Sequence, residues 1–286
     1  MNILPQKLIF GSANLLTRYG RKSFFINEYN SMKLMKCARK NGIKTLDISS
    51  DYNVFKNNSF NNNYKKWKIS FKITKAILSK LYSIKKIEEF IKTILIKFRC
   101  KKIEYFLFHH ENDLLTKNGR LFFNYLRNLK KKKIVKKIGV SIYDFDKSFK
   151  KLKNLPIDVI QAPLNVLDQR IDNSKNLNFL KKKKIEIHVR SIFLQGILVD
   201  ESLVSPKIKK DKKLKLWFKY LNENNLNPID EIFNFLKNKK YIDKIIVGAR
   251  SEKQIKDILS HIKTNKKFNY SVFSNKRKKT IDPRKW

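Results

Sequence analysis

Four side chains in the first half of this 286-residue chain could share one proton-transfer chemistry: Asp47, Tyr52, Lys72 and His109. Each stands at or just past the end of a short apolar run that reads as a β-strand. The runs are TLDIS (45–49) leading to Tyr52, KISFK (68–72) and YFLFHH (105–110). In an α/β barrel the C-terminal ends of neighbouring strands converge on one face, and that face carries the chemistry. A Tyr brought there beside a Lys, an Asp and a His makes a proton donor, with Lys and Asp tuning the phenol and His helping to aim it. Singly, each residue has an ordinary alternative. Asp47 could cap a helix, Tyr52 could pack in the core, Lys72 is one lysine among dozens, and His109 could be a core histidine. Placement at successive strand ends favours the shared chemistry, and an enzyme is expected. His109 and His110 would point to opposite faces of a strand and could not easily share one ion, so no metal site is expected.

The elements that must position these residues follow from the hydrophobic pattern. Eight strand candidates appear: KLIFGSA (7–13), TLDIS (45–49), KISFKI (68–73), YFLFHH (105–110), KIGVSI (137–142), VIQAPL (159–164), EIHVRSIF (186–193) and KIIVGAR (244–250). Helical stretches lie between them near 28–41, 85–100, 120–134, 144–153, 173–184 and 208–238, with a last one at 252–262. Repeated strand–helix units of this number predict an α/β fold, a (β/α)8 TIM barrel. Residues 1–286 are expected to form one domain, with a basic tail from 264 to 286 that wraps the outside or partly covers the site. The Asn-rich stretch 57–63 should shorten the helix after the second strand. The Lys-rich segment 196–212 is either a lid over a cofactor or a solvated connector.

Composition bounds the rest. The net charge of +42 raises polyanions as partners, yet the excess is mostly Lys, and Asn, Ile, Phe and Tyr are abundant while Gly is scarce at 7. Those are residues of AT-rich codons, so the bias reads as that of an AT-rich bacterial genome, with no specific nucleic-acid partner. Two cysteines in no CxxC pattern fit a reducing, cytoplasmic setting. The N-terminus lacks the features of a secretion signal, and no apolar run approaches the roughly 18 residues of a membrane span, so no membrane partner is expected.

With these motifs in order, the chain resembles the aldo-keto reductase family, in its bacterial type. LDISSDY (46–52) is similar to the family's Asp-x4-Tyr strand-end motif, SFKI (70–73) to its Lys strand and FLFHH (106–110) to the strand ending in its catalytic His. KIGVSIYDF (137–145), DVIQAPLNVLDQR (158–170), VRSIFLQGIL (189–198) and IIVGARSEKQIKDIL (245–259) follow in the family's order, and the closing IDPRKW resembles the end of some bacterial members. The resemblance implies reduction of an aldehyde or ketone, sugar-like or otherwise polar, by hydride from a nicotinamide. Tyr52 would be the proton donor, tuned by Lys72 and Asp47, and His109 would orient the carbonyl. It also implies a cofactor site of Gly11, Ser12, Ser141, Gln161, Arg190, Ser191, Phe193, Gly248, Arg250, Gln254 and Asp257.

Several positions depart from the family pattern. Ile142 stands where an Asn often follows Ser141, Asn53 replaces the Gly after the catalytic Tyr, and Arg190 replaces the usual nicotinamide-stacking aromatic. Gly248 and Gln254 occupy the positions of a Lys and an Arg that often grip the 2′-phosphate, leaving Arg250, Ser251 and Lys253 as substitutes. NADP(H) is the first expectation and NAD(H) stays open. A small-molecule carbonyl substrate and a monomer or weak homodimer are expected. The competing reading is a catalytically silent dinucleotide-binding barrel serving as a regulatory or scaffold subunit.

Overall fold

The computed structural model describes residues 4–19, 24–58, 64–172, 174–261 and 268–286. Eight parallel strands close into a barrel: β1 (Leu8–Gly11), β2 (Thr45–Ser49), β3 (Lys68–Ile73), β4 (Ile103–Phe108), β5 (Val135–Ser141), β6 (Val159–Pro163), β7 (Glu186–Arg190) and β8 (Lys244–Val247). Each pairs with its sequence neighbour, and β8 returns to β1 through Leu8↔Ile245 and Phe10↔Val247. The expected (β/α)8 TIM barrel is therefore the observed fold. A small antiparallel pair, Arg18–Tyr19 with Phe24–Phe25, lies outside the barrel.

Two-residue alternation decides which side chains meet. Successive strand residues face opposite sides, so in TLDIS Leu46 and Ile48 join the large core under the helices, with Phe71 and Phe106 from the next strands. The other phase faces the barrel axis. There Ile9, Leu107 and Val159 form a small apolar plug with Tyr105 and Ile246 against it. Below the plug, His188 Nε2 bonds Glu186 at 3.2 Å, and Lys137 pairs with the same carboxylate. With this floor filled, the polar inward residues at the C-terminal strand ends are left facing the open end.

Three connections refine the sequence expectations. The stretch 208–238 is two helices, Lys212–Glu223 and Pro228–Lys237, because Asn225 turns left-handed (φ 49°) and Asn227 caps the second helix ahead of Pro228. After β2 only the four-residue helix Asn53–Lys56 forms before the described chain stops at 58; most of the Asn-rich stretch lies outside the described residues. Segment 196–212 is anchored: Leu198, Leu203 and Ile208 are buried, and the Trp217 indole donates to the Leu198 carbonyl at 3.0 Å. The tail, described from 268 onward, is tied down as well. Asn275 and Thr280 donate to the buried Asp211 carboxylate at 2.8 and 2.7 Å, and Lys278 pairs with Asp144 at 2.9 Å. Among the described residues no helix is long and apolar enough to cross a membrane.

Scarce glycine leaves a mark on the helix ends. Helices ending at Lys40, Lys97, Lys131, Lys182 and Glu223 all close with the same pair of reversed hydrogen bonds, for example Lys133 N–H to Lys130 O and Ile134 N–H to Leu129 O, each at 3.0 Å. The closing residue must be left-handed, a position glycine takes without penalty. Only the first of these has it, at Gly42; the others use Arg99 (φ 47°), Lys133 (φ 59°), Lys184 (φ 54°) and Asn225 (φ 49°). Lys133→Gly and Lys184→Gly are each expected to stabilise the fold by about 0.5–1 kcal/mol, the steric relief less the extra chain entropy lost by glycine. Denaturant midpoints at unchanged slope would register the gain; an unchanged or lowered midpoint would contradict it.

Candidate active site

At the open end Asp47 of β2 and Lys72 of β3 form a buried ion pair, Nζ to Oδ2 2.5 Å, with the two residues 2 % and 3 % exposed. Such a pair holds only if its remaining polar atoms are served. Ser70 donates to Asp47 Oδ1 at 3.1 Å, and across the barrel Gln161 of β6 does the same at 3.1 Å while its Oε1 accepts from Lys72 at 3.2 Å. Burial alone pulls the Lys72 ammonium down, but Asp47 and then Tyr52 outweigh it, so the net shift is upward and the charge is kept.

Tyr52, half-buried just past β2, opens the helix Asn53–Lys56, and the Lys72 ammonium lies 5.6 Å from the centre of its ring. Asn53 ties this turn to the loop after β1 by donating to the Leu16 carbonyl at 2.7 Å. His109 follows β4, its backbone N–H bonded to the Ile73 carbonyl and its Nδ1 3.4 Å from Ser49 Oγ. Burial, then the positive charges of Lys72 and Arg190, push its imidazole down to about 3, so His109 is neutral at physiological pH. Because β4 ends at Phe108, both histidines lie beyond the strand rather than in it. They still diverge: the His110 ring caps the next helix by accepting from Asn112 N–H, and stacks 6.5 Å from Tyr143.

The structure thus brings Asp47, Tyr52, Lys72 and His109 to one end of the barrel, and sets the cofactor candidates around them unequally. Gly11 pairs in register with Asp47, and the Ser12 hydroxyl is taken by the Asp47 carbonyl at 2.7 Å. Ser141 ends β5 in register with Gln161. Gln161, expected in the cofactor site, is fully buried with both ends of its amide bonded to the ion pair. Arg190 ends β7 with its guanidinium on the Ile142 carbonyl (2.9 Å), Ser191 Oγ (3.3 Å) and the Tyr143 ring (4.2 Å to its centre). Beyond it Ser191 is left-handed (φ 59°), held by Asn165 donating to its carbonyl, and Phe193 packs on Phe233. Gly248 follows β8 in the open: a Cβ there would meet nothing closer than 3.9 Å. In the helix start beyond it, Gln254 accepts from the Arg250 N–H at 2.7 Å and donates its own N–H to Ser251, while Asp257 lies half-buried farther along.

Sequence reasoning passed over Ser49 and Ser70, although both occupy the inward phase of strands already singled out, two residues from Asp47 and Lys72. It also passed over Tyr143 and Arg284. The Arg284 guanidinium lies 3.4 Å from the centre of the Tyr143 ring, a contact across 141 residues (284 less 143) with no local signature.

Comparison with known proteins agrees with the barrel fold. The model of the Aldo/keto reductase family matches residues 7–275. Among solved structures, the holo form of an aldo-keto reductase from Bacillus halodurans is 17 % identical, with 93 % of this chain and 90 % of that one covered at a TM-score of 0.71. A thermostable aldo-keto reductase in complex with the inhibitor epalrestat is 15 % identical over 93 % and 92 % of the chains, TM-score 0.64. An aldo-keto reductase from a Medee basin deep-sea metagenome library is 14 % identical over 93 % and 89 %, TM-score 0.62. At these identities the likeness is one of fold. The comparison with curated proteins gives no match.

Two outcomes follow from the electrostatics. Asp47→Asn leaves the Lys72 ammonium without its carboxylate and is expected to cost about 3–5 kcal/mol, while Asp47→Asn with Lys72→Met recovers most of it. A double variant as unstable as the single one would argue that the pair is not what the carboxylate serves. The His109 imidazole has a folded value below its unfolded one, so between pH 6.5 and about 3 the unfolded chain binds a proton that the native one does not. Stability is therefore lost as pH falls through that window, and His109→Gln should flatten the slope in denaturation curves taken from pH 7 to 4.

Proposed function

Because the chain belongs to the aldo/keto reductase family, we propose that it reduces an aldehyde or ketone to the alcohol, using NADPH by preference, with Tyr52 as the proton donor. The observation carrying this reading is the Lys72 ammonium, fixed by a buried carboxylate and held 5.6 Å from the Tyr52 ring centre. A bound reduced nicotinamide would supply the hydride, two electrons with one proton's mass, to the carbonyl carbon. The carbonyl oxygen then needs a proton. Tyr52 gives its hydroxyl proton to that oxygen, and the positive charge of Lys72 offsets the negative charge left on the phenol oxygen. Solvent reprotonates Tyr52 afterwards.

His109 enters this step as a hydrogen-bond donor, not as an acid, since it stays neutral. In the tautomer with its proton on Nε2, Nδ1 accepts from Ser49 and Nε2 can orient the carbonyl oxygen. Residues at the strand ends fit a dinucleotide. Ser141 ends β5 in register with Gln161, and Gly248 leaves its backbone open ahead of the helix Glu252–His261. Arg250 and Lys253 stand at that helix start as candidate partners for the 2′-phosphate, which favours NADPH. On this reading residues 1–286 act as one catalytic unit, monomeric or weakly dimeric and cytoplasmic, with 264–286 as its tail.

Tyr52→Phe is expected to lower turnover of an aldehyde panel by about 10²- to 10⁴-fold. NADPH and NADH titrations followed by quenching of protein fluorescence should stay close to wild type, with NADPH the tighter. Retained turnover would overturn the role of Tyr52. Tight NADPH binding by a wild-type protein that reduces no aldehyde would instead favour a silent, regulatory barrel.

A further inference from the structure

A cleft of about 580 Å³ opens beside the proposed proton donor, walled by the segments that follow β2, β3, β4 and β5. Asp51, Thr74, Lys75, His109, His110 and Asp113 line it, and none of the residues assigned above to the dinucleotide does. The cofactor candidates stand at the ends of β1 and of β5 to β8. The wall formed after β2 and β4, which carries Asp51 and Asp113, is left for the substrate.

Asp113 is the unusual member. It is only 8 % exposed, yet among the described residues its carboxylate accepts no hydrogen bond and meets no Lys or Arg at ion-pair distance. The other buried carboxylates are all met. Asp47, Glu104, Asp168, Asp211 and Asp282 each pair with a Lys or Arg, Glu231 holds two tyrosine hydroxyls, and Glu111 lies 3.2 Å from the His110 ring. Burial pushes the Asp113 carboxyl above its ordinary range; His110 and Lys75 draw it back, while Glu111 and Asp51 add to the rise. With 66 Lys and Arg against 24 Asp and Glu, composition does not impose this unpaired state. A carboxylate withdrawn from water without donor or counter-charge is held at a cost that an arriving cation would offset. Asp51, exposed at the same cleft, engages one oxygen with the Thr74 hydroxyl at 2.8 Å and adds a second negative charge.

We propose that the carbonyl substrate bears a protonated amine, and that Asp113 receives it with Asp51 in support. This rests on the carbonyl-reductase reading above and names its substrate class. An ammonium supplies both the N–H donor and the counter-charge that Asp113 lacks, whereas a hydroxyl would supply the donor alone. Arg190 and Arg284 flank the Tyr143 ring, so the positive end turns from that wall toward Asp113 while the carbonyl meets His109 and Tyr52. Lys75 is the competing cation: exposed, it acts on Asp113 from beyond ion-pair distance.

The test is kinetic, on the full chain with NADPH at neutral pH and moderate salt. The probe is para-(dimethylaminomethyl)benzaldehyde, protonated on nitrogen, against its uncharged isostere para-isobutylbenzaldehyde. The hydroxymethyl analogue and para-formylbenzoate are run beside them. Wild-type kcat/KM is expected to favour the amine over the isostere by on the order of 10- to 100-fold, mainly through KM. Asp113→Asn should collapse that ratio, Asp51→Asn should lower it, and Lys75→Gln should keep or raise it. Both aldehydes are measured on one preparation of each variant, so the ratio does not depend on the fraction folded. A wild-type ratio near one overturns the proposal, as does a ratio that survives Asp113→Asn. Preference for the hydroxymethyl compound or the benzoate over the amine overturns it too, in favour of a polyol or an anion. If none of the aldehydes is reduced, it is the carbonyl-reductase reading that has failed.

Discussion

The Asp47–Lys72 ion pair sets the terms for everything at the open end of this barrel. Removing two charges from water costs several kcal/mol per ion, and their attraction alone does not guarantee a return. The return comes from Gln161 and Ser70, which occupy the remaining acceptor and donor positions from β6 and β3. Gln161 lies across the barrel from Asp47, so the ion pair is complete only when the sheet has closed. Closure and the electrostatics of the open end are therefore one event: a partly open barrel would expose the pair and lose the fixed charge beside Tyr52.

Neighbouring groups read that charge. Lys72 remains an ammonium because Asp47 and Tyr52 outweigh its burial, whereas His109, buried nearby without a carboxylate of its own, is driven to the neutral form. Two basic residues within one site thus take opposite states, a cation and a neutral donor. Ser49 and Ser70 acquire importance in the same way: one lies against the His109 ring and the other donates to the Asp47 carboxylate.

Much of this was legible in the chain because strand phase is local information. TLDIS and KISFK place Asp47, Ser49, Ser70 and Lys72 on one phase and Leu46, Ile48, Ile69 and Phe71 on the other, and a barrel allows only one phase to face inward. Strand bounds at 45–49 and 68–73 accordingly agree between sequence and structure. What was not legible depends on contacts between distant elements. The bonds from Gln161 to Asp47 and Lys72 exist only once β6 stands across the barrel from β2 and β3. Tyr143 is an ordinary loop aromatic until the tail lays Arg284 on it. The single helix expected over 208–238 fails at Asn225 for a different reason: a left-handed Asn can end a helix without any glycine to announce it.

The surface charge and the charge of the site must be kept apart. A net charge of +42 attracts anions to the whole molecule, which by itself raises the encounter rate of any acidic substrate. That attraction is screened over about 8 Å at physiological ionic strength, while a half-buried charge in contact with its partner is screened much less. Added salt should therefore erode any kinetic advantage that the lysine-rich exterior confers and leave the half-buried charges of the site largely unaffected. The difference matters because the lysines follow from a compositional bias acting along the whole chain. Arg190 instead stands at one strand end, half-buried against Tyr143 and within electrostatic reach of Lys72 and His109, where its charge acts on named groups and not on the solvent at large.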